Sequence, residues 1–445
     1  MKKKWQWLLV GFVLFLVVMG FILKIVFVQI ERNEREAKFP DRGVPRININ
    51  LNGFSIEEID AGSKEVKYKG NELDIYDGDG IRAFEDVEVK GRGNGTWIQE
   101  KKPYQIKFKE GVDLFGMGKA RKWYLLANAT DESNLRTVAA FKIEEMLDMK
   151  CRFEGRFIEL YMDGKYRGLY YLTRAVEIAK DIVDLKDSMG VLVELDNLYG
   201  RVEKYYETKN GDVLVVKDVV REDNEDRAMM DFLQKYNELE VAVAEKNYAR
   251  IVELIDIESF AQYYLLSEFT VNPDAYWTSF YMYKDGKNDK IHAGPGWDFD
   301  FALANRKWVS WIGEDVYSPR ITMVRKRDLM TKEEYEAMDL VDDDVNWYET
   351  NLRLSHIMFD LMDIPGFREE VKRVFQEKMS GRKEELVRII RQNEALIHDA
   401  AIANEKEWYR EGFDEYVEEL VSWVRQRHDY FEQEYGDGLE TNVML

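Results

Sequence analysis

The chain has 445 residues, 85 acidic against 64 basic side chains, a formal net charge of −21, one cysteine and seven prolines. Hydrophobic residues make up 45%, enough for a real core, which excludes wholesale disorder. The acidic balance excludes nucleic acid as the main partner, because a phosphate backbone needs a basic face, and a lone Cys151 excludes an internal disulfide framework or a CxxC metal site.

The sequence opens Met1-Lys-Lys-Lys4 and continues with an apolar run from Trp5 to Val28, broken only by Gln6 and Lys24. As a helix this run would be ~36 Å long, against a hydrocarbon core of ~30 Å. No small-x-small cleavage site follows it, so residues 1–30 read as an uncleaved transmembrane anchor rather than a signal peptide. Lys2, Lys3 and Lys4 favour an inside amino terminus. The expectation is a single-pass cell-membrane protein with the bulk of the chain extracytoplasmic; a large exported domain with one cysteine fits a bacterial cell surface. Residues 31–44 are charged, contain Pro40 and read as a linker.

The next stretch carries strand signals. Arg46 to Leu51, Asp86 to Lys90 and Lys102 to Phe108 alternate in polarity. Asp77-Gly-Asp-Gly80 and Gly91-Arg-Gly-Asn-Gly95 read as turns. A capping region at Asp131 to Asn134 predicts a helix with Leu135, Val138, Ala139, Ile143 and Met146 on one face. Strands are predicted at 157–161 and 168–172 around an Asp163-Gly164 turn, and again at 190–195 and 212–217. After about residue 222 the pattern turns helical. Asp256 caps a helix through Phe260, Tyr263, Tyr264, Leu265 and Phe269 that is apolar nearly all round and so predicted buried. A short hairpin (280–291) and Gly294-Pro-Gly-Trp-Asp-Phe-Asp300 follow. Residues 313–348 read as a polar surface excursion, and the remainder as amphipathic helices through Phe367, Leu386 and Tyr416. The fold class is α+β: a β-rich half, then a helical half, with a cleft between them as the natural ligand site.

Three places carry chemistry. In Gly91-Arg-Gly-Asn-Gly95 the glycines would let backbone N–H groups approach phosphate oxygens, or simply form a hairpin turn. In the strand at 102–108 the even positions Tyr104, Ile106 and Phe108 should face the core. Lys102 shares their parity, so it either points inward beside the glycine turn, where it would hold nucleotide phosphates, or snorkels to solvent. The third place runs from Asn272-Pro-Asp274 through the hairpin to Asp298-Phe-Asp300. Paired carboxylates suit Mg²⁺ or Mn²⁺ and leave waters for a substrate phosphate; the plainer reading is turn chemistry. The order of parts, glycine loop, strand lysine, helix, buried helix, Asp loop, hairpin, Asp loop, is that of a protein kinase, although neither His-Arg-Asp nor Asp-Phe-Gly occurs.

The chain resembles the CotH family, the atypical protein kinases named for a spore-coat protein. The resemblance lies in Gly91-Arg-Gly-Asn, Lys101-Lys-Pro-Tyr-Gln-Ile-Lys107, Asp131-Glu-Ser-Asn-Leu-Arg136, Gly168-Leu-Tyr-Tyr-Leu172, Phe260-Ala-Gln-Tyr-Tyr-Leu-Leu, Asn272-Pro-Asp274 and Gly294-Pro-Gly-Trp-Asp-Phe-Asp300. It implies a two-lobed kinase-like domain over 45–435, with an N-lobe at about 45–175, a C-lobe at about 176–435 and a tail at 436–445. It implies Lys102 as the phosphate-binding lysine, Asp274 as the catalytic aspartate, and Asp298, with Asp300, as metal ligands. Gly93, Asn94, Arg136 and Arg174 are candidate nucleotide contacts, with Arg136 alternatively a structural residue. The implied activity is transfer of the γ-phosphate of ATP, with Mg²⁺ or Mn²⁺, to Ser/Thr of surface or spore-coat-like proteins. Two departures stand out: Ser279 occupies the position of the kinase metal-binding Asn, and Arg174 stands where relatives carry Glu. The glutamate that would pair with Lys102 is left open between Glu144 and Glu145. The alternatives are a non-catalytic surface-binding protein on the same fold and an Asp-x-Asp metal-dependent glycosyl- or nucleotidyl-transferase.

Overall fold

The computed structural model describes residues 18–24, 26, 38–78, 80–197, 200–202, 204–272, 274–305 and 355–436. The apolar run from Trp5 to Val28 lies largely outside the described residues, and the excursion at 313–348 and the tail beyond 436 lie wholly outside. Among the described residues no helix is long and apolar enough to cross a membrane.

Alternating side chains in the first half build a barrel. Strands β1 (Arg46–Asn50), β2 (Tyr68–Asp77), β3 (Gly80–Gly91), β4 (Tyr104–Asp113), β5 (Lys119–Leu126), β6 (Gly155–Met162) and β7 (Lys165–Arg174) close in the order β1-β2-β3-β4-β5-β7-β6. Neighbours are antiparallel except β1 and β6, whose parallel pairing shuts the barrel and leaves no open edge. Ile47, Ile49, Leu73, Tyr104, Ile106 and Trp123 fill the interior. A short helix α1 (Ile56–Ala61) is fixed by a Ser55/Glu58 capping box. The segment before β1 packs on the barrel: Phe39 is buried against Tyr76 and Tyr161, and Arg42 pairs with Glu159 at 2.7 Å.

Helix α2 (Arg136–Met146) follows β5 and is buried on nearly all sides. Its start is held by Asp131, whose carboxylate accepts the N–H groups of Ser133 (3.1 Å) and Arg136 (2.9 Å). The predicted capping region thus supplies an acceptor for the first helical N–H, but the N-cap itself is Leu135, which makes no side-chain cap bond.

The second half holds a five-stranded sheet, ordered β12-β11-β8-β10-β9, from β8 (Val191–Leu195), β9 (Tyr205–Glu207), β10 (Val213–Val219), β11 (Phe280–Lys284) and β12 (His292–Ala293). Around it lie α3 (Glu225–Ala244), α4 (Tyr248–Leu254), α5 (Ile257–Thr270), α6 (Ile357–Met362), α7 (Pro365–Lys378), α8 (Lys383–Trp408) and α9 (Phe413–Tyr435). As predicted, α5 is buried along its whole length from Ser259 onward, and Asp256 caps it by accepting the Ser259 N–H at 2.9 Å. A second core joins α2, this sheet and these helices to the outer face of the barrel.

One register positions the site. In the β11–β12 hairpin Met282 faces Ala293 and Tyr283 faces His292. The residues just before β11 and just after β12 therefore emerge side by side, and those are the Asp274 turn and the Gly294–Asp300 loop.

Candidate functional site

Helix α5 ends at Val271, in the left-handed region at φ 48°, and the chain turns at once into Asn272. The Asn272 side chain ties two loops together: its Oδ1 accepts the Asp274 N–H at 3.1 Å and its Nδ2 donates to the Trp297 carbonyl at 3.1 Å. The Asp274 carbonyl accepts the N–H groups of Trp277 and Thr278, both at 3.0 Å, which curls the chain toward Ser279. There the Oγ donates to Asp298 Oδ2 at 3.3 Å. Ser279 and Asp298 both sit at positive φ, 55° and 61°, a backbone cost that persists only where neighbours over-determine it. Asp300 is anchored through its backbone: its carbonyl accepts Asn305 Nδ2 at 2.9 Å and Thr130 Oγ at 3.4 Å. Asp298, Asp300 and Ser279 thus come together, with Asp274 half-buried in the turn that leads to Ser279.

The two carboxylates share a half-buried pocket with Arg92, Leu126, Thr137, Phe141, Trp297 and Phe299. Burial raises the pKa of Asp298, and the Asp196 carboxylate adds to this; the Arg92 guanidinium and the Ser279 hydroxyl oppose it. Asp300 is pushed up to about 7 by burial, then by the Asp298 carboxylate, with Asp131 adding and Arg92 opposing. Among the described residues the Asp300 carboxylate accepts no hydrogen bond. Two desolvated, mutually repelling carboxylates call for a cation. Among the described residues no three His, Cys, Asp or Glu side chains gather to hold a metal by themselves. The pair fits Mg²⁺ or Mn²⁺ of the kind that takes one or two carboxylates and completes its shell with waters and substrate phosphates.

The other predicted residues lie as follows. Lys102 is half-buried, and its ammonium donates to the carbonyls of Trp97 (2.6 Å) and Gln99 (3.0 Å), over the Trp97 ring. The inward lysine is its neighbour Lys101, 2% exposed, which donates to the Leu169 carbonyl and lies 4.7 Å from the centre of the Tyr170 ring. The reason is that β4 begins only at Tyr104. Alternation holds for Tyr104, Ile106 and Phe108 and does not extend back through Pro103. The carbonyl of Gly93 accepts from Lys64 at 2.8 Å, and Lys64 also donates to the Asn94 side chain. Gly93 has φ 81°, and a Cβ there would sit 2.0 Å from Thr96 Oγ; on Gly91 it would sit 2.5 Å from the Trp97 ring. The glycines of this turn make room for their own loop.

Arg136 is buried with its guanidinium on Asp131, Ser133 Oγ (3.2 Å) and the Leu303 carbonyl (3.3 Å). Arg174 is buried at the end of β7, donating to the carbonyls of Met117 and Lys180 at 3.3 Å. Glu145 pairs with Lys142 on the surface, whereas Glu144 is fully buried. Glu144 accepts the Phe153 N–H at 3.3 Å and lies against Gly296, and burial holds its pKa well above the usual range. Neither glutamate pairs with Lys102.

The sequence reading misses Arg92, although it lies inside the quoted Gly-Arg-Gly-Asn. Its guanidinium lies 4.3 Å from the centre of the Tyr124 ring and 5.9 Å from that of Trp297. The usable signal was a basic residue held between two glycines at the end of an alternating strand.

A barrel, a second antiparallel sheet wrapped in helices, and paired aspartates on the loop after a hairpin define a mixed α+β protein with a site suited to a cation and an anion together. The family model described as CotH kinase protein matches residues 89–431. The chain belongs to the CotH kinase family. No curated protein matches it.

Proposed function

We propose that the chain is a membrane-anchored protein kinase, with a kinase-like two-lobed arrangement in which the barrel is the amino-terminal lobe. It would transfer the γ-phosphate of ATP to Ser or Thr hydroxyls of surface or coat proteins. The segment from Trp5 to Val28 would anchor it, with the bulk of the chain outside the cytoplasm. The observation that carries the reading is the joining of two acidic loops at one end of the β11–β12 hairpin, through Ser279 to Asp298 and Asn272 to Trp297.

Phosphoryl transfer asks a protein mainly for positioning and charge neutralisation. In this reading Asp274 orients the acceptor hydroxyl and takes its proton as the new O–P bond forms and the bond to the ADP oxygen breaks. Asp298 and Asp300 would hold Mg²⁺ or Mn²⁺, which when bound neutralises phosphate charge. Ser279, a weak ligand, serves by fixing the rotamer of Asp298.

The test uses the purified full-length protein with labelled ATP, Mg²⁺ and Mn²⁺ supplied separately, and a casein-like acceptor. Labelling of the acceptor or of the protein itself is expected. Asp274→Ala and Asp298→Ala should each lower it by about 100-fold or more. A wild-type protein that neither binds ATP nor transfers phosphate rejects the kinase reading and leaves a surface-binding protein.

A further inference from the structure

The cations the sequence places near the site are already engaged, with one exception. Lys102 is held by the Trp97 and Gln99 carbonyls, Lys64 by Gly93 and Asn94, Arg136 by Asp131, Ser133 and Leu303, and Arg174 by Met117 and Lys180. Arg92 differs. Among the described residues its guanidinium donates no hydrogen bond and forms no ion pair; its side-chain contacts are the ring faces of Tyr124 and Trp297. A guanidinium that lies over ring faces and donates no hydrogen bond keeps its N–H donors for an oxyanion, which it receives in pairs of hydrogen bonds.

The surroundings of those donors are defined as well. Arg92 lines the same pocket as Asp298 and Asp300, and its charge acts on both carboxylates. Among the described residues it forms no ion pair with either, so one cation and two anions line the pocket without neutralising one another directly. A phosphate chain carrying a divalent cation has the matching polarity: cation toward the carboxylates, oxygens toward the guanidinium. The backbone fixes the reach, since the Arg92 N–H donates to the Pro103 carbonyl at 3.3 Å and the flanking glycines fold the turn tightly around Trp97 and Thr96.

We infer that Arg92, rather than Lys102, is the residue that binds the nucleotide phosphates opposite Asp298 and Asp300. The inference rests on the kinase reading above. It assigns Lys102 to bracing the loop at 97–99.

The experiment measures calorimetric affinity of the full-length chain for Mg·ATP and for Mg·tripolyphosphate, which has phosphates and no base. Arg92→Ala should weaken both by about 10–100-fold, the range for a hydrogen bond to a charged group, and by the same factor for each probe. Arg92→Lys keeps a stacked cation and the fold but loses the fork, so it should remain several-fold weaker than wild type. Equal affinity of Arg92→Lys and wild type, or loss of affinity in Lys102→Ala with Arg92→Ala unaffected, overturns the inference and leaves the kinase reading standing. Wild type that binds neither probe overturns both.

Discussion

Replacing Arg136 by Met separates a structural from a phosphate-binding role for a residue that family resemblance puts among the nucleotide contacts. The side chain is 2% exposed, and its guanidinium serves Asp131, Ser133 Oγ at 3.2 Å and the Leu303 carbonyl at 3.3 Å. Methionine fills much of the volume and supplies none of the donors. Breaking a buried ion pair from one side costs ~3–5 kcal/mol, because the other charge stays buried. Asp131 retains three donors, the Ser133 N–H, the Ser133 hydroxyl and the backbone N–H of residue 136, so the lower end, ~3 kcal/mol, applies. The unpaired Leu303 carbonyl adds ~1 kcal/mol, for a loss of about 4 kcal/mol. Urea unfolding followed by tryptophan fluorescence measures it. Asp131→Asn in the same chain should recover part of the loss, since it removes the stranded charge. A loss below ~1 kcal/mol, accompanied by weakened ATP binding, would refute this account and return Arg136 to the phosphate site.

Two further outcomes follow from the buried titrating groups. Asp300, with its pKa raised to about 7 by burial and by Asp298, favours the metal-free fold most below its unfolded pKa of ~3.9, and that contribution is lost as pH rises toward 7. Mg²⁺ or Mn²⁺ should therefore raise the melting temperature more at pH ~8 than at pH ~5.5, and Asp300→Asn should remove most of that difference; equal stabilisation at both pH values contradicts it. Lys101 is buried beside Arg167 and Arg410, and burial followed by these like charges pushes its pKa well down. The unfolded chain thus holds this proton where the folded chain has lost it, so its contribution to stability rises with pH toward the unfolded lysine pKa of ~10.4. Lys101→Met should melt at or above the wild-type temperature near neutral pH; a drop of several degrees would show that the bond to the Leu169 carbonyl outweighs the desolvation.

What the sequence revealed was whatever depends on short-range periodicity. Alternation located β1, part of β3 and β4, and the all-round apolar pattern marked α5 as buried, because a helix with no polar face has nowhere else to go. The strands Tyr68–Asp77 and Lys119–Leu126 were not read. Lys119-Ala-Arg-Lys-Trp-Tyr-Leu-Leu126 alternates poorly, and its place is set by pairing with β4 on one side and β7 on the other. Closure of the barrel is equally non-local: it depends on β1 finding β6, a parallel pairing that no local pattern announces.

The same division explains the site. The acidic loops were legible because chain order places them: a buried helix ending in a turn, then a hairpin, brings the loop before the first strand beside the loop after the second, in the register that sets Met282 against Ala293. The cation was not legible that way. Parity pointed to Lys102, but parity belongs to a strand and expires at Pro103, where β4 has not yet begun. Arg92 owes its orientation to Tyr124 on β5 and Trp297 on the distant loop, so nothing adjacent in sequence predicts it. The glycines beside it misdirect as well. Phosphate-cradling loops and crowded turns both require glycine, and here the crowding by Trp97 and Thr96 is sufficient to explain Gly91 and Gly93. The glycine-rich motif here therefore marks where the backbone must bend, and the residue presented at the bend, Arg92, lines the pocket of Asp298 and Asp300.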